Sequence, residues 1–537
     1  MKLNKKLVAM ATAGALTALT AIPAMAFENE FHGAYTLKYY LSNYEQGGGG
    51  NPLAPTVTGG KTLVAPPAGN QTENLRLNNY FEQRARIFYT AKASDDLKLV
   101  TAFEIDSVFG DKAQGSISTT SVANGQFTFR NSGGAMESDA VNLETKWVYL
   151  QFKIPSTPTT VLAGIQPFKD SLKGILLDAD IAGVITSTKL GAATVNAGYL
   201  RAYDQSFFST TGVGSTSAAN VKGNQNLDIG ALELKYDLTK DTKLGVVYYL
   251  YADGRPFNVV TTPGNSAPPV TTGGVLVDSA TMIHTFGLTG ETKVGPVALS
   301  GFLAYQGGVL RNFNAAGVGQ NGDSAYLNAF AYNLAAKAPV GPGSLRSALL
   351  FTSGNSNDAS TLKSKHLTGW VGTSQSLNST WASNTGTSSY NEGGMMLLNR
   401  NALNNNTTTD NAIIYNTSNG TNPVDAQGMY LYTLGYDANI TPKLYTNVNA
   451  GAAWAAHTNS MKPFDNKTGK QNATNYMGSE VNLETGYKMY DNLTARFQAA
   501  YVFLGGYYKG SSSIGSATTP KDPENPYTAR LILSYAF

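Results

Sequence analysis

The stretch FEQRARIFYTAKASDDLKLVTAFEIDS, Phe81 to Ser107, alternates apolar and polar side chains on both sides of an acidic break. Phe81, Ala85, Ile87, Tyr89, Ala91 and Ala93 share one face, and Glu82, Arg84, Arg86, Thr90 and Lys92 share the other. Beyond Ser94-Asp95-Asp96, the residues Leu97, Leu99, Phe103 and Ile105 oppose Lys98, Glu104 and Asp106. Successive side chains of an extended chain point to opposite sides, and Ser and Asp favour tight reversals. The stretch therefore predicts an antiparallel hairpin with one apolar and one charged face.

The same pattern recurs along the chain. In ALELKYDLTKDTKLGVVYYLYAD, Leu232, Leu234, Tyr236 and Leu238 oppose Glu233, Lys235 and Asp237 before a TKDT turn. In GSEVNLETGYKMYDNLTARFQAAYVF, Val481, Leu483, Thr485 and Tyr487 oppose Glu480, Asn482, Glu484 and Lys488. Past its YDN turn, the apolar set is Leu493, Ala495, Phe497, Ala499, Tyr501 and Phe503. Weaker copies begin at Val148, Ile181, His284, Tyr332 and Tyr430, the first with no clear facing around Trp147 and Leu150. Eight hairpins with a lone opening strand near Phe31 and a lone closing strand, TARLILSYAF, make 18 strands. The expected fold is an all-β, transmembrane, antiparallel up-and-down β-barrel, with short periplasmic turns and long outer loops. The patches Met395–Leu398 and Ala412–Tyr415 leave room for one more hairpin, and the expected range is about 16–20 strands.

Composition agrees with a barrel. Of 537 residues, 14% are charged against the roughly 25% usual in soluble domains, and no apolar run after the leader is long enough for a membrane helix. A chain so poor in charge can still cross a bilayer if its backbone closes on itself. Residues 1–26 have the three parts of a secretory signal peptide: Lys2, Lys5 and Lys6, an apolar Leu7–Ile22, and a cleavage site at Ala24 and Ala26. Residues 27–537 then form one barrel domain. Three of the 39 basic residues belong to the leader, so 36 remain against 36 acidic ones and the mature chain is neutral. That excludes a nucleic-acid binder, which needs a clustered basic excess. With no Cys at all, disulfides, thiolate metal sites and covalent haem attachment are excluded.

With Phe537, Tyr535, Leu533 and Leu531 on one face of its last strand, YTARLILSYAF resembles the C-terminal insertion signal of Gram-negative outer-membrane porins. On the other face lie Arg530 and Thr528, and Ile532 breaks the alternation. Leader, hairpins and this terminus together are similar to the large porins of metal-reducing bacteria and to alginate-export-type barrels. The resemblance implies an integral protein of the Gram-negative outer membrane, an aqueous channel for passive diffusion of ions and small hydrophilic solutes. It implies contact with outer-membrane lipid and lipopolysaccharide, recognition by the barrel-assembly machinery through Leu531, Leu533, Tyr535 and Phe537, no cofactor, and by analogy a homotrimer. A barrel sleeve around a partner cytochrome is the alternative.

Selection in such a barrel falls to inward polar side chains. The pore-lining candidates are Arg84 and Arg86 facing Glu104 and Asp106, with Glu480, Glu484, Lys488 and Arg496 as a second cluster. Opposed rows of charge impose a transverse field; equally, they satisfy one another on the wall. Catalysis is not expected: His32, His284, His366 and His457 lie far apart with no Ser or carboxylate at motif spacing. No metal site is expected. The GVGQNG run, Gly317–Gly322, matches a dinucleotide-binding motif only in letters, since it falls in a loop between strands with no helix behind it.

Overall fold

In a computed structural model, the chain is described over residues 28–45, 77–110, 143–204, 226–254, 281–311, 324–355, 366–372, 390, 392–399, 426–457, 468–511 and 522–537, with short pieces at 55–58, 61–64, 257–259, 275–277 and 464–465. The leader with Ala24 and Ala26, the GVGQNG run and Ala412–Tyr415 lie outside the described residues.

Each period-two stretch is a strand. In chain order they are β1 Glu28–Ser42, β2 Asn78–Ser94, β3 Leu97–Val108, β4 Glu144–Lys153, β5 Thr159–Lys169, β6 Asp178–Leu190, β7 Ala193–Asp204, β8 Asn226–Asp237 and β9 Thr242–Asp253. The second half holds β10 Thr281–Val294, β11 Val297–Arg311, β12 Ser324–Val340, β13 Gly343–Thr352, β14 Met429–Asn439, β15 Leu444–Ala455, β16 Tyr476–Tyr490, β17 Leu493–Leu504 and β18 Tyr527–Ala536. Every neighbour pair is antiparallel, and β18 returns to β1 to complete the ring. The fold is a closed 18-stranded up-and-down barrel. Turns are short at one end, as at Gly295 and Gly341, whose φ values of 59° and 55° suit residues without a Cβ. Connections at the other end are longer. Met395–Leu398 is not an additional hairpin; a two-residue piece, His366–Leu367, runs parallel to β12 at Tyr326–Leu327.

The polarity of this ring is inverted relative to a water-soluble domain. On β8, Leu232, Leu234 and Tyr236 are 49%, 43% and 46% exposed, whereas Glu233 between them is 6% exposed. The same holds on β2 and β3, where Phe81 and Leu99 face out and Glu82, Glu104 and Asp106 are buried inside. An apolar belt of this extent on every side is not compatible with water, and it matches the hydrocarbon of a bilayer.

The ring closes at two points of different character. Outside, Gly33 and Phe537 exchange backbone hydrogen bonds, N–H of Gly33 to the Phe537 carbonyl at 2.8 Å and the reverse at 3.0 Å. A Cβ on Gly33 would lie 2.0 Å from the Phe537 ring, so glycine there lets the ring lie flat across β1, beside Phe31 and Tyr535. Inside, Ile532, which breaks the alternation of β18 in sequence, is 2% exposed and faces the lumen.

Deleting Phe537, or Phe537→Asp, is expected to lower the yield of heat-modifiable, protease-resistant barrel sharply, with Gly33→Val acting in the same direction by lifting the ring. The check is semi-native electrophoresis after folding into lipid vesicles; wild-type yields from all three would show that this contact does not secure closure.

Candidate functional site

The lumen has two unlike halves. Where β16, β17, β18, β1, β2 and β3 meet, inward side chains form a belt of ion pairs. Arg84 donates to Asp106 through Nε at 2.7 Å and Nη2 at 2.8 Å, and its Nη2 lies 3.3 Å from Glu104. Arg86 also donates to Glu104. Lys38 stands 3.7 Å from Glu82, and Arg496 stands 3.8 Å from Glu484. The register explains these partners, since Arg84 is directly opposite Asp106 and Arg86 directly opposite Glu104.

Arg530 on β18 spans the seam. Its guanidinium holds Glu45, just past β1, donates from Nη1 to Gln498 at 3.1 Å, and lies 5.4 Å from the Tyr40 ring centre. Thr528 donates to the same Glu45. The closing strand is thus held from inside by a charge and from outside by an aromatic. In sequence Arg530 is visible only as an inward residue; Glu45 carries no signal, because it lies beyond the strand pattern.

The opposite half of the wall carries chain segments folded into the lumen. Residues 170–177, between β5 and β6, form a knot around Asp170, whose carboxylate accepts backbone N–H groups of Leu172, Gly174, Leu176 and Leu177 at 2.6 to 3.0 Å. Burial pushes the Asp170 carboxyl up to about 6 against the pull of those four donors. Tyr249 accepts from the Ser171 N–H and donates to Glu233, fixing the knot to the wall. A second segment, 392–399, is held by Glu480 on β16, which accepts the N–H groups of Met396, Leu397 and Leu398 at 2.7, 3.0 and 2.6 Å. Trp370 bridges the parts by donating to the Ile175 carbonyl at 3.3 Å. Leu172, Ile175, Trp370, Tyr390, Met395 and Leu398 belong to one buried apolar cluster inside the barrel.

Where the segments meet, Lys173 pairs with Glu392, and its Nζ lies 3.2 Å from Ser300 Oγ on the wall. Toward the turn end of the barrel there is a cavity of about 860 Å³ bordered by Lys243, Lys293, Lys337, Arg346, Glu392 and Glu484, among others. Arg346 is engaged by Asp437 through Nε at 2.6 Å and Nη2 at 2.8 Å.

The sequence-derived candidates are distributed across this lumen. Arg84, Arg86, Glu104 and Asp106 come together on the belt. Glu484 and Arg496 join the same belt through Gln498 and Tyr445. Glu480 is separate from them and clasps the 392–399 segment, while Lys488 is exposed at the turn end of β16. Glu104, Asp106 and Glu144 converge closely enough to hold a cation, but the first two already hold Arg84 and Arg86. Of the histidines, His284 contacts Tyr248 on the outer face, and His32, His366 and His457 lie on other elements.

No protein-family model matches this sequence, and no curated protein matches it. Similar solved structures include Pseudomonas aeruginosa OccK8 (OprE), at 12% identity and TM-score 0.46 over 95% of this chain and 98% of that one. The outer membrane protein opdK of the same organism has 12% identity and TM-score 0.44 over the same shares. Acinetobacter baumannii OccAB4 has 11% identity and TM-score 0.44 over 96% and 99%. At this level of likeness neither solute nor partner follows for this chain.

Asp170 gives a pH signature. The folded protein holds its proton more tightly than the unfolded chain, where Asp titrates near 4, so its contribution favours folding at pH 4 and is lost as pH rises through about 6, by roughly 3 kcal/mol. In urea unfolding of the vesicle-embedded protein between pH 4 and 7, wild type should lose about that much more stability than Asp170→Asn; parallel curves would mean that Asp170 does not titrate in this window.

Proposed function

We propose that this chain is an outer-membrane porin of a Gram-negative cell, an aqueous channel through which ions and small hydrophilic solutes diffuse passively. One observation carries the reading: the apolar face is outside on all sides of a closed ring, while charges and the protein's own folded segments line the inside. Phe31, Tyr535 and Phe537 cluster on the outer face near the turn end, where aromatic rings suit a membrane–water interface. Lipid and lipopolysaccharide are then the surrounding partners, and β18 is the element offered to the assembly machinery.

The internal segments favour a pore over a cytochrome sleeve. A sleeve needs a lumen cleared for its guest, whereas here Leu172, Trp370, Tyr390 and Met395 belong to one buried apolar cluster built between inserted segments and the inner wall. Such packing narrows the path to a passage between these segments and the charged belt, which selects by size and charge.

Purified protein in planar bilayers should give discrete conductance steps. In a salt gradient, Arg84→Ala with Arg86→Ala should move the reversal potential toward cations, because Glu104 and Asp106 lose their compensating charge; an unchanged potential would place the belt away from the conducting path. Bilayers that stay silent with folded protein would overturn the porin reading. For orientation, epitopes inserted at Gly48 or Ser383, both outside the described residues, should be labelled on intact cells and epitopes at Asp95 or Lys240 should not; the reverse pattern would invert the barrel.

A further inference from the structure

Among the described residues the ion pairs of the belt balance: Lys38, Arg84, Arg86, Arg496 and Arg530 face Glu82, Glu104, Asp106, Glu484 and Glu45, with Glu144 beside Glu104 and Asp106. The other half of the lumen differs. Lys293, Ala298, Lys337 and Arg346 stand directly opposite one another on consecutive strands β10 to β13, so three cations lie along one line of the wall. Like charges placed opposite each other repel, and among the described residues only Arg346 of the three has an ion-pair partner, Asp437. Both lysines border the cavity below the inserted segments, whose lining also carries Asp241, Glu291, Asp437 and Glu484.

Off that line, over Ser300, two residues along β11 from Ala298, sits Lys173. Its φ of 64° is a left-handed conformation that is unfavourable for a side chain bearing a Cβ, and the Asp170 clasp and Gly174 hold it there. The effect is to aim its ammonium from the loop apex at Ser300 and Glu392. Glu392 fills this place incompletely. One carboxylate oxygen meets Lys173, while the other is buried and accepts no hydrogen bond. Its backbone carbonyl takes an N–H of Arg346 at 3.3 Å. A buried carboxylate oxygen without a donor is unfavourable, so this ion pair is easier to exchange than one held at both oxygens, such as Arg84–Asp106 on the belt.

We infer that Lys173 and Ser300 form an oxyanion-binding site occupied at rest by the chain's own Glu392 carboxylate, which a small solute bearing a carboxylate or phosphate displaces on its way between the constriction and the cavity that Lys293 and Lys337 border. Glu392 then acts as a built-in competitor: it keeps Lys173 neutralised and the path narrow until an anion takes its place. No bond is made or broken; one carboxylate replaces another on an ammonium. Lys337 and Lys293 offer the next positions for the anion, spaced along adjacent strands. The inference rests on the porin reading and adds to it the solute class and the residue that discriminates.

The test uses the full-length protein in planar bilayers, with succinate and inorganic phosphate as separate probes that distinguish carboxylate from phosphate recognition. Glu392→Gln should raise anion over cation permeability several-fold and lower the probe concentration giving half-maximal block about tenfold. Lys173→Gln should abolish the block, and Lys337→Gln, on the cavity wall and without an ion-pair partner, should weaken it a few-fold with no effect on folding. Block by either probe with this ordering of variants supports the site. Wild-type block and selectivity in Glu392→Gln and Lys337→Gln, with conductance intact, would overturn it while leaving the porin reading standing; if Glu392→Gln does not fold, unchanged block in Lys337→Gln decides against it alone. Absence of any conductance from folded wild type would remove both.

Discussion

Closure of the ring between β18 and β1 is the constraint on which the rest of this protein depends. In hydrocarbon an unpaired N–H or carbonyl has no water to turn to, so an open edge is not tolerated and all strands must be paired on both sides. The seam meets this by backbone pairing from Ala34 and Ala536 to Ser42 and Thr528, extended by the Gly33–Phe537 exchange. Two side-chain devices reinforce it on opposite faces: the Phe537 ring over Gly33 outside and the Arg530–Glu45 pair inside. The first suits an apolar surrounding, the second a polar one, and the seam is the boundary between them.

Once the ring is closed, its interior becomes a problem of polar satisfaction in a confined space. On the belt this is solved by cross-strand pairs such as Arg84–Asp106, where register alone places base opposite acid. On the other half it is solved by the chain itself, with Asp170 and Glu480 each collecting a run of backbone N–H groups that a loop inside a barrel would otherwise leave without acceptors. The same clasp that makes an inward loop tolerable also makes its position definite. Lys173 and Glu392 consequently meet at a fixed point, although 219 residues separate them in the chain.

How far the site is legible without coordinates follows from the range of its interactions. Arg84, Arg86, Glu104 and Asp106 can be read as facing pairs because a short hairpin turn fixes their register within a single stretch. Glu480 and Glu484 lie two pleats apart on one face and look equivalent, yet Glu484 joins the belt and Glu480 holds a loop that arrives from outside the strand pattern. Lys173, Ser300 and Glu392 have no common motif, and their meeting depends on which loops fold inward. The Met395–Leu398 patch, apolar enough to suggest a strand, is apolar because it packs in the lumen against Tyr390 and its neighbours.

The sequence by itself determined the barrel: period-two alternation assigns each residue to lipid or lumen, short turns set the register of every hairpin, and both are local properties of ten to fifteen residues. It determined the opposed charges of β2 and β3 for the same reason. Only the tertiary structure decided what stands in the lumen, namely the Asp170 and Glu480 clasps, the Arg530–Glu45 seam and the Lys173–Glu392 contact. These are pairings between distant parts of the chain, and no periodicity encodes them, because their geometry exists only after eighteen strands have curved round and brought the loops over one opening.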